Sequence, residues 1–75
     1  MSSYSKQKKI LEVIGKKLKK AREGVNLSQE KLAEKTKLHR TYIGMVERGE
    51  RNPTIGTLYR IVKALETTSQ EILPF

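Results

Sequence analysis

Few side chains in this chain could carry out covalent chemistry. Its 75 residues include no Asp, no Cys and a single His, His39. The eight glutamates could supply an acid and a base, but they are scattered among lysines at helical surface spacing, the setting of solvated ion pairs. His39, with no Cys or Asp for company, makes a poor metal site or catalytic base, so neither an enzyme nor a cofactor is expected. What these residues can do is bind. Lys and Arg number 16, the formal net charge is +8 at pH 7, and the natural partner of such a chain is a polyanion. The excess is uneven: residues 1–24 carry 8 Lys/Arg and 2 Glu, residues 25–52 carry 6 and 4, and residues 53–75 carry 2 and 2.

The elements that must position these charges follow from periodicity. Ile10, Ile14, Leu18, Ala21 and Val25 recur at intervals of three and four and form one stripe of an amphipathic helix over Lys6 to Glu23. Residues 1–8 read as a flexible extension. Gly24 to Leu27 breaks the pattern, with Asn26 suited to a left-handed turn. Ser28 caps a second helix over Gln29 to Lys35 that buries Leu32 and Ala33. A tight turn through Thr36, Lys37 and Leu38 leads to a third helix over Arg40 to Glu47, with Ile43 and Val46 on its inner side. Gly49 to Pro53 is a turn, and Thr54 caps a fourth helix over Ile55 to Leu65 that buries Ile55, Leu58, Ile61, Val62 and Leu65. A last helical turn spans Ser69 to Leu73. The fold class expected is all-α, one domain over residues 1–75.

No stretch approaches the roughly 20 apolar residues of a membrane span, and Met1 to Lys9 lacks the apolar segment of a signal peptide. With no cysteine to oxidise, the chain suits the cytoplasm. The lysines of helix 1 (Lys16, Lys17, Lys19 and Lys20) could line a nucleic acid, but a solvated face is the commoner fate of such runs. A basic amphipathic helix can also lie on an anionic membrane, but here the other helices need its one apolar stripe for their core.

The segment Leu27 to Pro53, LSQEKLAEKTKLHRTYIGMVERGERNP, resembles the helix-turn-helix of the Cro and phage-repressor type, the Xre family. Arg22, Leu27-Ser28-Gln29, Leu32-Ala33, Leu38, Tyr42-Ile43, Val46 to Gly49, Asn52-Pro53 and Leu58 all fall in register, and the likeness runs from about Ile14 to Leu73. It implies a five-helix, lambda-repressor-like domain whose helix-turn-helix spans residues 29–48. Such proteins insert the start of helix 3 into the major groove, which implies base contacts from His39, Arg40, Thr41, Gly44 and Met45. Arg40 leads, because a guanidinium can bind guanine O6 and N7 together. Gln29, Tyr42, Arg48, Arg51 and Asn52 would hold backbone phosphates, which position the domain without reading sequence. Arg22 and Glu47 would form a structural ion pair between helix 1 and the end of helix 3.

The same resemblance implies a homodimer on a two-fold symmetric double-stranded DNA operator, with half-sites about 34 Å apart. The candidate interface is Tyr59, Leu65, Ile72, Leu73 and Phe75, apolar groups near the chain end with little core left to enter. The run Leu38 to Pro53 looks most like restriction-modification controller proteins, transcription regulators that activate or repress by site occupancy; an activator would also meet RNA polymerase. Phage repressors, antitoxins and a protein-interaction module that has lost DNA binding share the fold. The family often carries Gly where this chain has Lys37 and Glu66, so both turns depart from its pattern.

Overall fold

The computed structural model describes residues 3–75, which form five helices: α1 Ser3–Gly24, α2 Gln29–Thr36, α3 Arg40–Glu47, α4 Ile55–Ala64 and α5 Ser69–Ile72. Helix α1 begins earlier than the apolar stripe suggests. Residues 3–8, expected as a flexible extension, continue it, because Lys6, Gln7, Lys8 and Lys9 are good helix formers and no Gly or Pro interrupts them. Residues 1 and 2 of that expected extension lie outside the described residues.

Each of the four later helices starts on a side chain that accepts a bond from the first turn. Ser28 Oγ accepts from Lys31 N–H at 3.0 Å, Thr54 Oγ1 from Thr57 N–H at 3.1 Å, and Thr68 Oγ1 from Glu71 N–H at 3.3 Å. His39 does the same for α3, its Nδ1 accepting from Thr41 N–H at 3.1 Å. The exits are equally uniform. After α1, Asn26 N–H donates to Glu23 O and Leu27 N–H to Arg22 O, and this double bond recurs after α2, α3 and α4. The motif needs a left-handed residue. Gly49 supplies it once, at φ 76°, whereas Asn26, Lys37 and Glu66 adopt φ near 60° with a side chain attached.

These stops fold the helices onto one core. Ile14 and Leu18 of α1, Leu32 and Ala33 of α2, Ile43 and Val46 of α3, Leu58, Ile61 and Val62 of α4, Leu65 and Ile72 are buried together. A fully buried Leu or Ile contributes about 1.5–3 kcal/mol, and this cluster takes the place of disulfides or metal. Ala33 is small where α2 meets α3, and Arg60 of α4 ties down the end of α2 by donating to the Thr36 carbonyl.

The core differs from expectation in two ways. Ile55, expected inside, is 79% exposed at the first residue of α4. Ile72, expected at a dimer interface, is 1% exposed, and Leu65, expected both in the α4 core and at that interface, is 2% exposed: α5 folds back onto α1 and α4, so both side chains fill the monomer's own core. Ile10 on α1 and Val25 in the turn after it, the two ends of the expected stripe, are each 39% exposed.

Candidate nucleic-acid interface

Helix α3 is divided by its periodicity. Ile43 and Val46 face inward, while Arg40 and Thr41 at its start are exposed. Met45 and Tyr42 are half-buried at the border, Tyr42 with its ring against the core. His39 is exposed at the entry to α3, with one ring nitrogen committed to the cap. Gly44 sits differently from the expected base contact. It is buried, and a Cβ there would lie 3.2 Å from Arg48 Nη1 and 3.6 Å from Gln29 Oε1. Those two side chains lie over the glycine, so Gly44 offers space, not a contacting group.

A polar pair also ties α3 to α1. Arg22 Nε donates to Glu47 Oε2 at 2.7 Å and Nη2 to Oε1 at 3.2 Å, while Nη1 donates to Leu27 O at 2.8 Å. Gln29 Nε2 adds a bond of 3.0 Å to Glu47 Oε1. Arg22 and Glu47 are 8% and 7% exposed, and among the described residues no buried side-chain N or O is left without a partner. The Glu47 carboxylate, bonded to the guanidinium, pushes the Arg22 pKa up, so the group stays charged in spite of burial. Beneath this pair the backbones of α1 and α3 meet: a Cβ on Gly15 would lie 2.4 Å from Glu47 O and 2.6 Å from Val46 O.

The expected phosphate contacts are dispersed. Gln29 spends part of its amide on Glu47 but opens α2 at the cleft between α1 and α3, a cleft lined also by Lys16, Lys19, Gly44 and Arg48. Arg51 and Asn52 are exposed on the turn after α3. Arg48 is exposed but not free: its Nε donates to Glu50 Oε2 at 2.8 Å and its Nη2 to Oε1 at 3.2 Å. This bonding raises the Arg48 pKa and lowers that of Glu50. Among the described residues no cluster of His, Cys, Asp or Glu is arranged to hold a metal, and no helix is long and apolar enough to cross a membrane.

On the far side lies an apolar surface. Tyr59 is 64% exposed and Phe75 84%, Leu73 is half-buried, and a shallow groove joins Leu73 and Tyr59 to the exposed Ile55. Ile55, which reads as core, is on the surface, and Lys16 and Lys19, exposed as a solvated face would be, border the cleft. The spacing of three between Lys16 and Lys19 is visible in the sequence, but the helix face they share with α2 is not.

Residues 18–72 match the helix-turn-helix family model. The control protein C.SmaI of Serratia marcescens is 50% identical over 64 residues, covering 85% of this chain and 76% of its own. The crystal structure of the restriction-modification controller protein C.AhdI of Aeromonas hydrophila superposes with a TM-score of 0.80 at 36% identity, over 84% of this chain and 96% of that one. The controller protein C.Esp1396I, solved as a tetramer with its natural 35 base-pair operator, superposes with a TM-score of 0.74 at 38% identity, over 84% of this chain and 93% of that one.

Proposed function

The chain belongs to the helix-turn-helix family that includes restriction-modification control proteins, and from this premise we propose that it is a transcription regulator that binds specific duplex DNA as a homodimer. The observation that carries the reading is the exposed pair Arg40 and Thr41 at the start of α3, on a helix locked in place by the Arg22–Glu47 pair. A guanidinium there can take guanine O6 and N7 bidentately, and Thr41 can bond a base or touch a thymine methyl. Met45, one turn on, packs on such a methyl, and the exposed nitrogen of His39 meets the nearby backbone. Gln29, Tyr42, Arg48, Arg51 and Asn52 hold phosphates on either side, which fixes register without reading sequence.

One recognition helix reads only a few base pairs, so specificity needs a second copy. Ile55, Tyr59 and Phe75 are exposed and Leu73 is partly so, apolar surface that suits an isologous two-fold contact. In place of the buried Leu65 and Ile72, Ile55 joins the interface. The reading best supported is a control protein acting on its own promoter region, a regulator rather than a catalyst, working in the cytoplasm where its DNA lies.

Selection of bound duplexes from a random library, repeated with Arg40→Ala, tests this. The expected result is a two-fold symmetric site whose preference relaxes at one base pair per half-site in the variant, a loss of about 1–3 kcal/mol of discrimination there. Recovery of no duplex above background would overturn it.

A further inference from the structure

The four lysines in the second half of α1 do not share one environment. Lys16 and Lys19 line the cleft with Gln29, Gly44 and Arg48, whereas Lys17 and Lys20 border a separate depression beside Thr67 and Glu71. Lys19 and Lys17 lie on opposite edges of this stretch of α1, with Lys16 and Lys20, four residues apart, between them, so the division follows the clefts that the neighbouring segments leave beside α1. Among the described residues, neither Lys16 nor Lys19 has a carboxylate within 4.0 Å. Of the nearby acids, Glu47 is engaged by Arg22, while Glu12, one turn before Lys16 and lining the cleft, and Glu23, one turn after Lys19, are the carboxylates that share a helix face with the two ammonium groups.

The floor of that cleft is a glycine in the middle of a helix, where glycine weakens the helix and needs a reason. At Gly44 the reason is room. A Cβ would project into the space beneath Gln29 and Arg48, with both side-chain ends within 4 Å. A cleft bordered by Gly44, by the Gln29 and Arg48 side chains that lie over it and by two unpaired lysines suits a compact anion. Lysine, a point charge on a flexible stem, suits a phosphate that presents no fixed planar edge.

We propose that Lys16, Lys19 and the Gly44 hollow form a seat for two backbone phosphates of duplex DNA, one for each lysine, so that α1 grips the strand flanking the groove that α3 enters. This rests on the DNA-binding reading above and adds to it a sequence-independent contact made by the first helix. Lys17 and Lys20, which border the other depression, take no part.

The test is the salt dependence of binding to a non-operator duplex, measured by fluorescence anisotropy for the full chain, Lys16→Gln/Lys19→Gln and Lys17→Gln/Lys20→Gln. Every lysine–phosphate pair that is removed makes the slope of log affinity against log salt shallower by about 0.9, so the first double variant should flatten it by about 1.8 per bound protomer. Its fall in affinity between about 50 and 200 mM salt then shrinks roughly tenfold relative to the unmodified chain. The second double variant should change the slope by less than half as much. Equal changes in both would mean that only net charge matters and would overturn the seat. An unmodified chain that binds no duplex at all would instead refute the DNA-binding reading itself. As a second probe, Gly44→Ala should melt no lower than the unmodified chain yet bind every duplex at least fivefold more weakly; unchanged affinity would rule out the hollow.

Discussion

Arg22 on α1 and Glu47 at the end of α3 are joined by two hydrogen bonds, at 2.7 and 3.2 Å, although 25 residues separate them in sequence. The pair is buried, and its remaining capacity goes to Leu27 O and Gln29 Nε2, so it fixes α1, the start of α2 and the end of α3 together. Removing one partner strands a buried charge. Arg22→Ala should therefore lower the unfolding free energy by about 3 kcal/mol in urea titrations, while Arg22→Met with Glu47→Leu should cost clearly less. Equal losses for the single and the double variant would mean that the pair's charge is irrelevant to stability.

Lys37 ends α2 at φ 59° and ψ 35°, its N–H bonded to the end of the helix. A side chain in the left-handed region costs about 1–2 kcal/mol, part of which glycine gives back through the freedom it adds to the unfolded chain. Lys37→Gly should raise stability by about 1 kcal/mol and the melting temperature by about 4–8 °C. Glu66→Gly, at φ 57°, should act in the same direction. A melting temperature that falls in either variant would contradict the strain.

Both turns stand out in the sequence through the glycine missing from the family's usual pattern, and much else is legible for equally local reasons. Leu32, Ala33, Ile43 and Val46 are spaced so that no helical arrangement leaves them outside, and Ser28 is followed by a run whose N–H groups need an acceptor. What stays hidden depends on tertiary direction. Ile55 fits the α4 stripe by type, but as the first residue of the helix it precedes the surface that α2 and α5 cover. Ile72 looks surplus because the sequence does not say that α5 folds back on α1. Gly44 shares the recognition helix with the exposed residues but faces α2, and nothing short of the crossing angle reveals that.

Arg48 and Glu50 make an exposed pair that works against the proposed phosphate contact. The Arg48 guanidinium holds the Glu50 carboxyl below the ordinary glutamate range. A depressed folded-state value gives a contribution that is present above the unfolded value and lost as pH falls through the lower folded one. The pair should therefore persist at neutral pH and release only below about pH 4.3, the unperturbed value. Carboxyl titration by NMR should show Glu50 below its neighbours, and Arg48→Gln should return it to the ordinary range; an unmoved midpoint would exclude the pair in solution. Glu50→Gln, which frees the guanidinium, should tighten binding to any duplex.

The apolar surface around Ile55 and Tyr59 gives a direct test of the dimer. Ile55 is 79% exposed, so Ile55→Glu should leave the helical signal of the folded monomer intact. Sedimentation should nevertheless show a monomer, and operator affinity should fall with loss of the second half-site. Ile10→Glu, on α1 at 39% exposure, serves as the control and should still dimerise. A dimer that survives Ile55→Glu and Tyr59→Glu together would move the interface elsewhere.

Two helical glycines should respond to alanine in opposite ways, and the contrast tests the close approach that sets the angle of α3. At Gly56 nothing lies within 4 Å of a built Cβ, so Gly56→Ala should gain up to about 1 kcal/mol from helix propensity alone. At Gly15 the same methyl would meet the Glu47 carbonyl oxygen at 2.4 Å and that of Val46 at 2.6 Å. These are backbone atoms and cannot rotate away. The helices must part, and Gly15→Ala should lose about 2–3 kcal/mol after the propensity gain is counted. Since α3 is the element displaced, Arg40 and Thr41 move with it and Arg22 loses its aim at Glu47. Operator affinity should therefore fall even at temperatures where the variant is fully folded. If Gly15→Ala instead melts as high as Gly56→Ala, then α1 and α3 do not meet this closely, and the positioning of the recognition helix would have to rest on the Arg22–Glu47 pair alone.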